Sequence, residues 1–139
     1  MKPIEVMLIE DDTGEALLIG EILAESPFPV TLRIARDGMQ ALFMLASGVF
    51  QPDLIIVDLN IPYVSGHGVI ELFHPKDIPL VAFSSSVNEA DRQRALALGA
   101  REYVQKPIDL CAYTNAVRGI VEKWALRRED SQSSGRALQ

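Results

Sequence analysis

The sequence contains a single cysteine, Cys111, and only two histidines among its 139 residues. One cysteine cannot form a disulfide within the chain or a thiolate metal site, which fits a reducing compartment. His67 and His74 are seven residues apart and lack a third ligand of the kind that zinc requires, so we interpret both as surface residues. Disulfide scaffolds and zinc sites are therefore disfavoured, and we expect Cys111 to be a packed or idle thiol.

Positive charge and long hydrophobic runs are also scarce. The chain has 13 Lys and Arg against 19 Asp and Glu, and its net charge of −6 leaves no broad electrostatic footprint for a nucleic-acid backbone. The longest uncharged stretch, residues 38–52, is too short to span a bilayer. We therefore expect a soluble, cytoplasmic protein that binds neither nucleic acids nor membranes directly.

The apolar residues that are present form a regular pattern. A length of 139 residues with 48% hydrophobic residues is enough for one core and too little for two full domains. Short apolar runs predict strands at residues 4–9, 31–35, 53–57, 78–83 and 101–105. The segments between and after these runs predict helices at residues 14–25, 39–46, 69–74, 89–98 and 110–128.

Several polar residues mark helix ends. Asp37, Asn88 and Asp109 are placed as helix N-caps, and Gly99 follows the fourth helix where a left-handed residue belongs. Strands that alternate with helices in this way predict a parallel sheet with right-handed crossovers and helices on both faces. We therefore predict one α/β domain over residues 1–128, followed by a disordered polar tail at residues 129–139.

The last predicted helix carries an apolar stripe at helical spacing. The stripe consists of Leu110, Tyr113, Val117, Ile120, Val121 and Trp124. An apolar stripe on a long terminal helix seeks a partner where the domain leaves it uncovered, so we predict a homodimer.

Acidic residues stand where two predicted strands end. Glu10, Asp11 and Asp12 follow the first strand, and Asp58 follows the third. The carboxyl ends of the strands are where parallel α/β sheets bind ligands, so the fold would gather these groups with Lys106. Two carboxylates about 4 Å apart repel by roughly 4 kcal/mol at an effective dielectric near 20, so a cation is needed. Mg²⁺ accepts one or two carboxylates together with water and phosphate oxygens, which predicts a magnesium and phosphate site.

The residue types suggest a role for each position. Asp58 is the predicted nucleophile, because a carboxylate can accept a phosphoryl group as an acyl phosphate. Asp11 and Asp58 are the expected direct metal ligands, Glu10 acts through water, and Asn60 offers its backbone carbonyl. Lys106 would pair with the phosphoryl group from the other side.

A hydroxyl donor is available in Ser84, which follows the fourth predicted strand. Each residue also has a purely structural interpretation: Asp12 fits a helix N-terminus, Ser84 can simply end a strand, and a lone lysine such as Lys106 is most often solvated. The joint pattern favours the functional interpretation over these separate ones.

Six segments together resemble the receiver domain of bacterial two-component response regulators in order and spacing. They are IEVMLIEDD (4–12), PDLIIVDLNIP (52–62), SG (65–66), IPLVAFSS (78–85), ALALGA (95–100) and YVQKP (103–107). The resemblance extends to about Trp124. It implies a flavodoxin-like sheet of order 2-1-3-4-5, in which Asp58 receives phosphate from a sensor histidine kinase. It also implies Mg²⁺ bound by Asp11, Asp58 and the Asn60 carbonyl, with Glu10 as an outer partner.

The same resemblance assigns the remaining positions. It implies that Ser84 is the switch hydroxyl, Tyr103 the switch aromatic and Lys106 the phosphate-contacting lysine, whose bond to Pro107 is commonly cis in the family. Phosphorylation would draw Ser84 inward, and Tyr103 would follow, re-aiming the surface of the fourth helix, fifth strand and fifth helix. The third helix looks shorter than is usual for the family.

The sequence also resembles a subgroup of the family. The long final helix, with Arg36-Asp37-Gly38 and Lys123-Trp124, looks like stand-alone regulators that partner phytochrome-type kinases. Such a chain would catalyse its own phosphorylation rather than turn over an external substrate.

Two other classes of function stay open. A magnesium-dependent hydrolase can also pass through an aspartyl phosphate, but a second acid usually follows its nucleophile by two residues, where this chain has Asn60. A constitutive binding module with vestigial acids is the other alternative, and the intact acid, hydroxyl and lysine positions argue against it.

Overall fold

A computed structural model of the protein describes residues 2–48, 50–73 and 77–126. Five strands alternate with five helices within these residues. In chain order they are β1 (Ile4–Ile9), α1 (Thr13–Ala24), β2 (Val30–Ala35), α2 (Gly38–Ala46), β3 (Leu54–Val57), α3 (Gly66–Leu72), β4 (Leu80–Ser84), α4 (Glu89–Leu98), β5 (Glu102–Gln105) and α5 (Leu110–Ile120), which continues as a π-helical segment (Val121–Leu126).

The strands form one parallel sheet in the order β2-β1-β3-β4-β5, so the predicted fold class is confirmed. The register pairs Ile9 with both Ala35 and Val57, which brings the carboxyl ends of the first three strands level. The chain runs from β1 outward to β2 and then returns to place β3 on the other side of β1. This reversal opens a crevice beyond the ends of β1 and β3, where α/β sheets bind ligands.

Apolar side chains cover both faces of the sheet. Val6 and Leu8 of β1 belong to the cluster that packs against α1 and α5, whereas Met7 and Ile9 belong to the cluster on the opposite face. Burial on both faces explains why the strands read as continuous apolar runs rather than alternating ones. Each fully buried side chain of this size contributes about 1.5–3 kcal/mol, so the core fixes the frame on which the polar strand ends are mounted.

Side-chain caps begin the helices as the sequence predicts. Asp37, Asn88 and Asp109 each accept a hydrogen bond from a backbone N–H in the first helical turn. Gly99 ends α4 with φ of 125°, and its N–H donates to the carbonyl oxygens of Ala95 and Leu96. The predicted bounds of the strands differ from the observed ones by two residues at most.

The third helix is short but starts earlier than predicted. Ser65 caps α3 by accepting a hydrogen bond from the N–H of Gly68, so the helix occupies Gly66–Leu72. Gly66 lies directly against the chain that follows β3, because a Cβ at this position would stand 2.5 Å from the carbonyl oxygen of Asp58. The early start also buries His67, so the interpretation of His67 as a surface residue is wrong. His74 lies outside the described residues.

The predicted last helix is not one uniform α-helix. Its α-helical part ends at Ile120, and Val121–Leu126 follow with π-helical hydrogen bonding. Most of the predicted apolar stripe packs against the domain's own sheet, since Tyr113, Val117, Ile120 and Val121 are buried while Leu110 is exposed. The stripe therefore belongs mainly to the core.

The remaining predictions concern the Lys106–Pro107 peptide bond, the C-terminal tail and membrane-spanning helices. No peptide bond among the described residues is cis, so the Lys106–Pro107 bond is trans and the cis expectation is wrong; trans is the intrinsically preferred isomer of such a bond. The predicted disordered tail, residues 129–139, lies outside the described residues. In the part of the chain that the structure describes, no helix is both long and apolar enough to cross a membrane.

Candidate functional site

Backbone hydrogen bonds continue past the strand ends and fix the polar residues there. The N–H of Glu10 donates to the carbonyl of Ala35 at 2.9 Å, and the N–H of Asp58 donates to the carbonyl of Ile9 at 3.0 Å. The N–H of Lys106 likewise donates to the carbonyl of Ser84 at 2.8 Å. The sheet therefore holds both acids and the lysine at one edge before their side chains make any contact.

The carboxylates at this edge converge. Glu10, Asp11 and Asp58 each present an oxygen that lies within 4.8 Å of the other two. An octahedral Mg²⁺ with bonds of about 2.0–2.1 Å spaces its ligand oxygens by roughly 3–4 Å, so these groups can meet one ion with small side-chain movements. All three donors are hard oxygens, and Asp11 is exposed and open to solvent. The cluster can therefore hold a hard divalent cation.

Lys106 reaches into the same space from the end of β5. Its Nζ lies 2.9 Å from Glu10 Oε1, 3.2 Å from Asp58 Oδ2 and 2.6 Å from Glu15 Oε1. Its side chain is only 9% exposed, so these ion pairs are largely shielded from water. The structure thus brings together Glu10, Asp11, Asp58 and Lys106, which the sequence analysis singled out, and adds Glu15.

Burial changes the charge balance of the site. Burial raises the pKa of Glu10 to about 8, although Lys106 opposes the change and the charges of Asp58 and Glu15 reinforce it. Burial alone would lower the pKa of Lys106, but hydrogen bonds to Glu15 and Glu10 outweigh it, and the pKa of Lys106 is raised. The ammonium of Lys106 therefore stays charged, whereas Glu10 keeps its proton to a higher pH than an ordinary carboxyl group.

Glu15 and Tyr113 are functional candidates that the sequence analysis missed. The hydroxyl of Tyr113 donates to Glu15 Oε1 at 2.7 Å, and burial, followed by the contact with Glu15, raises the pKa of Tyr113. An acid in the first turn of a helix is ordinarily explained by the helix dipole, and Tyr113 is explained by the apolar stripe. No motif in the sequence distinguishes these residues from their structural alternatives.

Asn60 and Ser84 lie beside the acids. The N–H of Asn60 donates to Asp58 Oδ1 at 3.1 Å, and the buried Ser84 Oγ accepts a hydrogen bond from the N–H of Ser86 at 3.2 Å. Both residues line a polar cavity of about 420 Å³. The remaining lining residues are Leu59, His67, Ser85, Ser86 and Asp91.

Tyr103 is tied to the loop between β4 and α4. Its hydroxyl donates to the carbonyl of Ser86 at 2.6 Å, while Ser86 Oγ donates to Asp91 Oδ2 at 2.7 Å. The buried His67 joins this network through Nε2, which lies 3.2 Å from the carbonyl of Asp91. Ser84 and Tyr103, the two predicted switch residues, thus make contact with the same residue, Ser86.

Asp12 caps a helix, and Cys111 lies in no metal-binding cluster of the described residues. Asp12 caps α1 by accepting a hydrogen bond from the N–H of Glu15 at 2.9 Å, and its own N–H donates to Glu10 Oε2 at 3.3 Å. Cys111 is exposed and forms no disulfide.

Comparison with known proteins agrees with the observed fold. The family model of the response regulator receiver domain matches residues 6–118. Response regulator Rcp1 of Synechocystis sp. is 31% identical over 131 residues, which cover 88% of this chain and 89% of Rcp1. The sensor histidine kinase CheAY of Helicobacter pylori is 31% identical over 132 residues, which cover 92% of this chain but only 16% of CheAY. The chain also spans only 30% of a protein-glutamate methylesterase of Symbiobacterium thermophilum, to which it is 32% identical over 109 residues.

Solved structures give the same result. The phosphorylated cyanobacterial phytochrome response regulator RcpA superposes with a TM-score of 0.83 at 34% identity, covering 88% of this chain and 94% of RcpA. The Mn²⁺-bound form of Rcp1 superposes with a TM-score of 0.82 at 31% identity, covering 88% of this chain and 95% of Rcp1. The strand order, the convergent acids and these similarities together show that the chain belongs to the receiver domain family of two-component response regulators.

Proposed function

We propose that this chain is a single-domain response regulator that accepts a phosphoryl group on Asp58 from a sensor histidine kinase in a Mg²⁺-dependent reaction. One observation carries the proposal. Asp58 Oδ2 lies 3.2 Å from Lys106 Nζ, and a carboxylate oxygen of Asp58 lies within 4.8 Å of oxygens from Glu10 and Asp11. An acceptor carboxylate, a pair of metal-binding acids and a fixed cation are the parts that phosphoryl transfer requires.

The chain's own residues divide the chemistry among them. An oxygen of Asp58 attacks phosphorus, and the bond from phosphorus to the donor's imidazole nitrogen breaks. Asp11, Asp58 and the carbonyl of Asn60 would hold Mg²⁺, with Glu10 acting through water. An ion held by these residues would neutralise charge on the transferred oxygens. Lys106 meets the same oxygens from the side of β5 and needs no proton transfer to do so.

The signal is a change of shape at the loop between β4 and α4. A phosphoryl group on Asp58 draws the hydroxyl of Ser84 towards it, and this movement competes with the hydrogen bond from the N–H of Ser86. Tyr103, whose hydroxyl is bonded to the carbonyl of Ser86, moves with the loop. The surface formed by α4, β5 and α5 is thereby re-aimed for the next protein in the pathway, and the autocatalysed reaction is a switch rather than turnover.

The kinase docks at the end of β5. Ile108 is fully exposed and Leu110 is 62% exposed, and both lie within four residues after the lysine that reaches Asp58. Two exposed apolar side chains beside a charged site suit a helical partner that must place its phosphohistidine against Asp58. A phytochrome-type kinase fits this proposal, because RcpA is described as a phytochrome response regulator. The exposed thiol of Cys111 suits a cytoplasmic location.

We also propose that the chain forms a homodimer. The apolar stripe of the last helix is mostly buried in the domain's own core, so it does not form the dimer contact. When no kinase is bound, a homodimer would cover the exposed apolar residues of the α4, β5 and α5 side, which are Val87, Ile108 and Leu110. Sedimentation of the concentrated protein, with and without beryllofluoride, tests this expectation. A monomer mass under both conditions contradicts the dimer.

Phosphotransfer to Asp58→Asn is the direct test of the acceptor. The wild type is incubated with candidate histidine kinases and with acetyl phosphate at saturating Mg²⁺, and the products are separated on phosphate-affinity gels. Label is expected on the wild type and absent from Asp58→Asn. Asp37→Asn is the matched control, because asparagine caps a helix as well as aspartate does. Label that survives in Asp58→Asn would place the acceptor elsewhere.

The same experiment addresses the alternatives. If the wild type takes no label from any donor, the chain is a constitutive binding module. Steady release of phosphate from a generic phosphate ester without a kinase would instead indicate a hydrolase. The converging acids and the buried lysine favour the response regulator over both.

A further inference from the structure

We propose that Glu15 is a positioning residue that holds Lys106 in the resting chain and must release it before Lys106 can bind the phosphoryl group. Glu15 would thereby set the rate at which Asp58 is phosphorylated. This inference rests on the proposed function of Asp58.

The ion pair with Glu15 is the shortest of the three that Lys106 makes. Lys106 Nζ lies 2.6 Å from Glu15 Oε1, compared with 2.9 Å from Glu10 Oε1 and 3.2 Å from Asp58 Oδ2. Charge-assisted hydrogen bonds at such distances are about twice as strong as neutral ones. The resting lysine is therefore drawn towards α1 more closely than towards the acceptor.

Tyr113 and the start of α1 hold Glu15 in place. The hydroxyl of Tyr113 donates to the same oxygen, Oε1, at 2.7 Å, and the buried Tyr113 ring packs against Phe83 with ring centroids 5.3 Å apart. The N–H of Glu15 is bound to Asp12 Oδ1 at 2.9 Å. Both ends of the residue are thus fixed, so the Glu15 carboxylate cannot follow Lys106 when the ammonium moves.

The number of donors on the ammonium makes the exchange necessary. A lysine ammonium has three N–H groups, and in the resting chain Nζ has three carboxyl oxygens as partners, one each from Glu10, Glu15 and Asp58. A new bond to a phosphoryl oxygen requires that one partner be released. Glu10 takes part in metal binding and Asp58 carries the phosphoryl group, so Glu15 is the partner that Lys106 gives up.

The chemistry of transfer shows why this exchange affects the rate. With acetyl phosphate, an oxygen of Asp58 forms a bond to phosphorus, the bond from phosphorus to the acetyl oxygen breaks, and acetate leaves with the electron pair. No proton is transferred, so charge neutralisation limits the step. The Glu15 carboxylate retains the cation that the transferred oxygens need and also repels their negative charge.

Glu15→Gln is the direct test. The change removes the charge but keeps an oxygen that can accept from Tyr113. The rate of Asp58 labelling by acetyl phosphate at saturating Mg²⁺ is expected to rise about fivefold, because a neutral amide holds the ammonium less tightly than a carboxylate does. Glu21→Gln is the matched control, because Glu21 is exposed on the same helix and losing its charge should leave the rate unchanged.

Tyr113→Phe separates the tether from the charge. This variant keeps the Glu15 carboxylate but removes the hydroxyl that anchors it, so a smaller increase in rate is expected. A ¹⁵N NMR signal of the Lys106 ammonium is expected to shift in Glu15→Gln and Tyr113→Phe but not in Glu21→Gln, and a purely structural role for Glu15 would not produce that pattern.

The outcomes separate this inference from the proposed function. If the wild type is labelled at Asp58 and Glu15→Gln is labelled at the same rate, the inference is wrong and the proposed function stands. Equal acceleration in Glu21→Gln also overturns it, because net charge would then be the cause. A wild type that takes no label overturns both.

Discussion

At the scale of single residues, the site depends on one lysine that is shared among several acids. Lys106 is held at the end of β5 by the backbone bond to Ser84, and its ammonium is nearly enclosed by carboxylates. Breaking a largely buried ion pair by removing one partner is costly, since the remaining charge stays without compensation. Lys106 therefore stabilises the resting fold as well as serving the chemistry.

Lys106→Met tests both effects. We expect the free energy of unfolding to fall by about 3 kcal/mol, measured by urea denaturation, because the largely buried carboxylates of Glu15 and Asp58 lose their partner. We also expect the rate of Asp58 labelling to fall by about a hundredfold, because a positioned cation no longer meets the phosphoryl oxygens.

The control for this prediction is Lys123→Met. Lys123 forms a partly exposed ion pair with Glu102 at 3.3 Å, and its loss should change stability by no more than about 0.5 kcal/mol. Comparable destabilisation in the two variants would contradict the special position of Lys106.

Glu10 makes the stability of the metal-free protein depend on pH. Its pKa in the folded chain is about 8, against an ordinary value of 4.5, so the folded state binds more protons than the unfolded state between these values. The free energy of unfolding is therefore expected to fall as pH rises from 5 to about 8. Urea denaturation in the presence of a chelator, repeated across this range, measures the slope.

Glu10→Gln identifies the source of that slope. The variant cannot ionise at position 10, so the decline between pH 5 and 8 should largely disappear. The pKa values of Lys106 and Tyr113 are both raised and lie above this window, so neither interferes. An unchanged slope in Glu10→Gln would show that another group is responsible.

At the scale of elements, the contact between α3 and the end of β3 positions the acceptor. Gly66 lies so close to the chain that an added Cβ would stand 2.5 Å from the carbonyl of Asp58, and its N–H donates to the carbonyl of Leu59 at 3.0 Å. A glycine is needed here because the backbones approach directly. The helix therefore fixes the loop that carries Asp58 and Asn60.

Gly66→Ala is expected to displace this loop. Its methyl group must push the backbone at Asp58 aside, so we expect loss of stability by about 2 kcal/mol and a clear fall in Asp58 labelling. Thermal unfolding and labelling by acetyl phosphate measure the two effects.

Gly119→Ala is the matched control for this substitution. Apart from the adjacent residues and the helix's own backbone, no heavy atom of the described residues lies within 4 Å of the added Cβ, so alanine should stabilise the protein by roughly 0.5–1 kcal/mol. Labelling should be unchanged. Equal labelling by the Gly66→Ala variant would show that α3 does not position Asp58.

The elements also show what the sequence can predict and what it cannot. Apolar runs with acids or a lysine at their ends were enough to predict the parallel sheet and to select the residues that converge, because strand ends in such a sheet share one edge. The bounds of α3 were missed, since a cap by Ser65 and a buried His67 depend on close packing against the neighbouring chain. The change to π-helical hydrogen bonding after Ile120 has no signal in the periodicity.

The pairing of Glu15 with Lys106 could not be predicted for a similar reason. The contact joins residues 91 positions apart and depends on how far α1 is rotated about its axis. Hydrophobic periodicity fixes that rotation only coarsely. The burial of Ala16 and Ile19 shows which face of α1 meets the core, but it does not determine towards which neighbouring element the Glu15 side chain points. Sequence patterns predicted which strand ends meet, whereas helix rotation decides which further side chains join them.

At the scale of the whole molecule, the sheet is unequally protected. All residues of β3 and β4 are buried, whereas no residue of the edge strand β5 is fully buried. A segment with fewer buried residues opens more readily than a fully buried one. We expect backbone amides of β5 to exchange with deuterium faster than those of β3 and β4, as measured by mass spectrometry on proteolytic fragments.

Beryllofluoride with Mg²⁺ supplies the comparison for that experiment. If Lys106 and Tyr103 respond to the occupied site, exchange in β5 should slow, while exchange in β3 changes little. Identical exchange in β5 with and without beryllofluoride would contradict a response in this strand.

The place of β5 at the rim of the sheet has one more consequence. Within the described part of the chain, an edge strand such as β5 keeps one row of backbone hydrogen-bonding groups without a strand partner, so it can shift while the interior strands remain in register. Tyr103 and Lys106, which must respond to phosphorylation, therefore lie on or just after a strand that can move. Asp58, the acceptor, follows the interior strand β3, which stays in place. Sequence changes that stiffen β5, such as a designed additional strand paired with it, should prevent the shape change that follows phosphorylation. The phosphorylation of Asp58 itself should be unaffected.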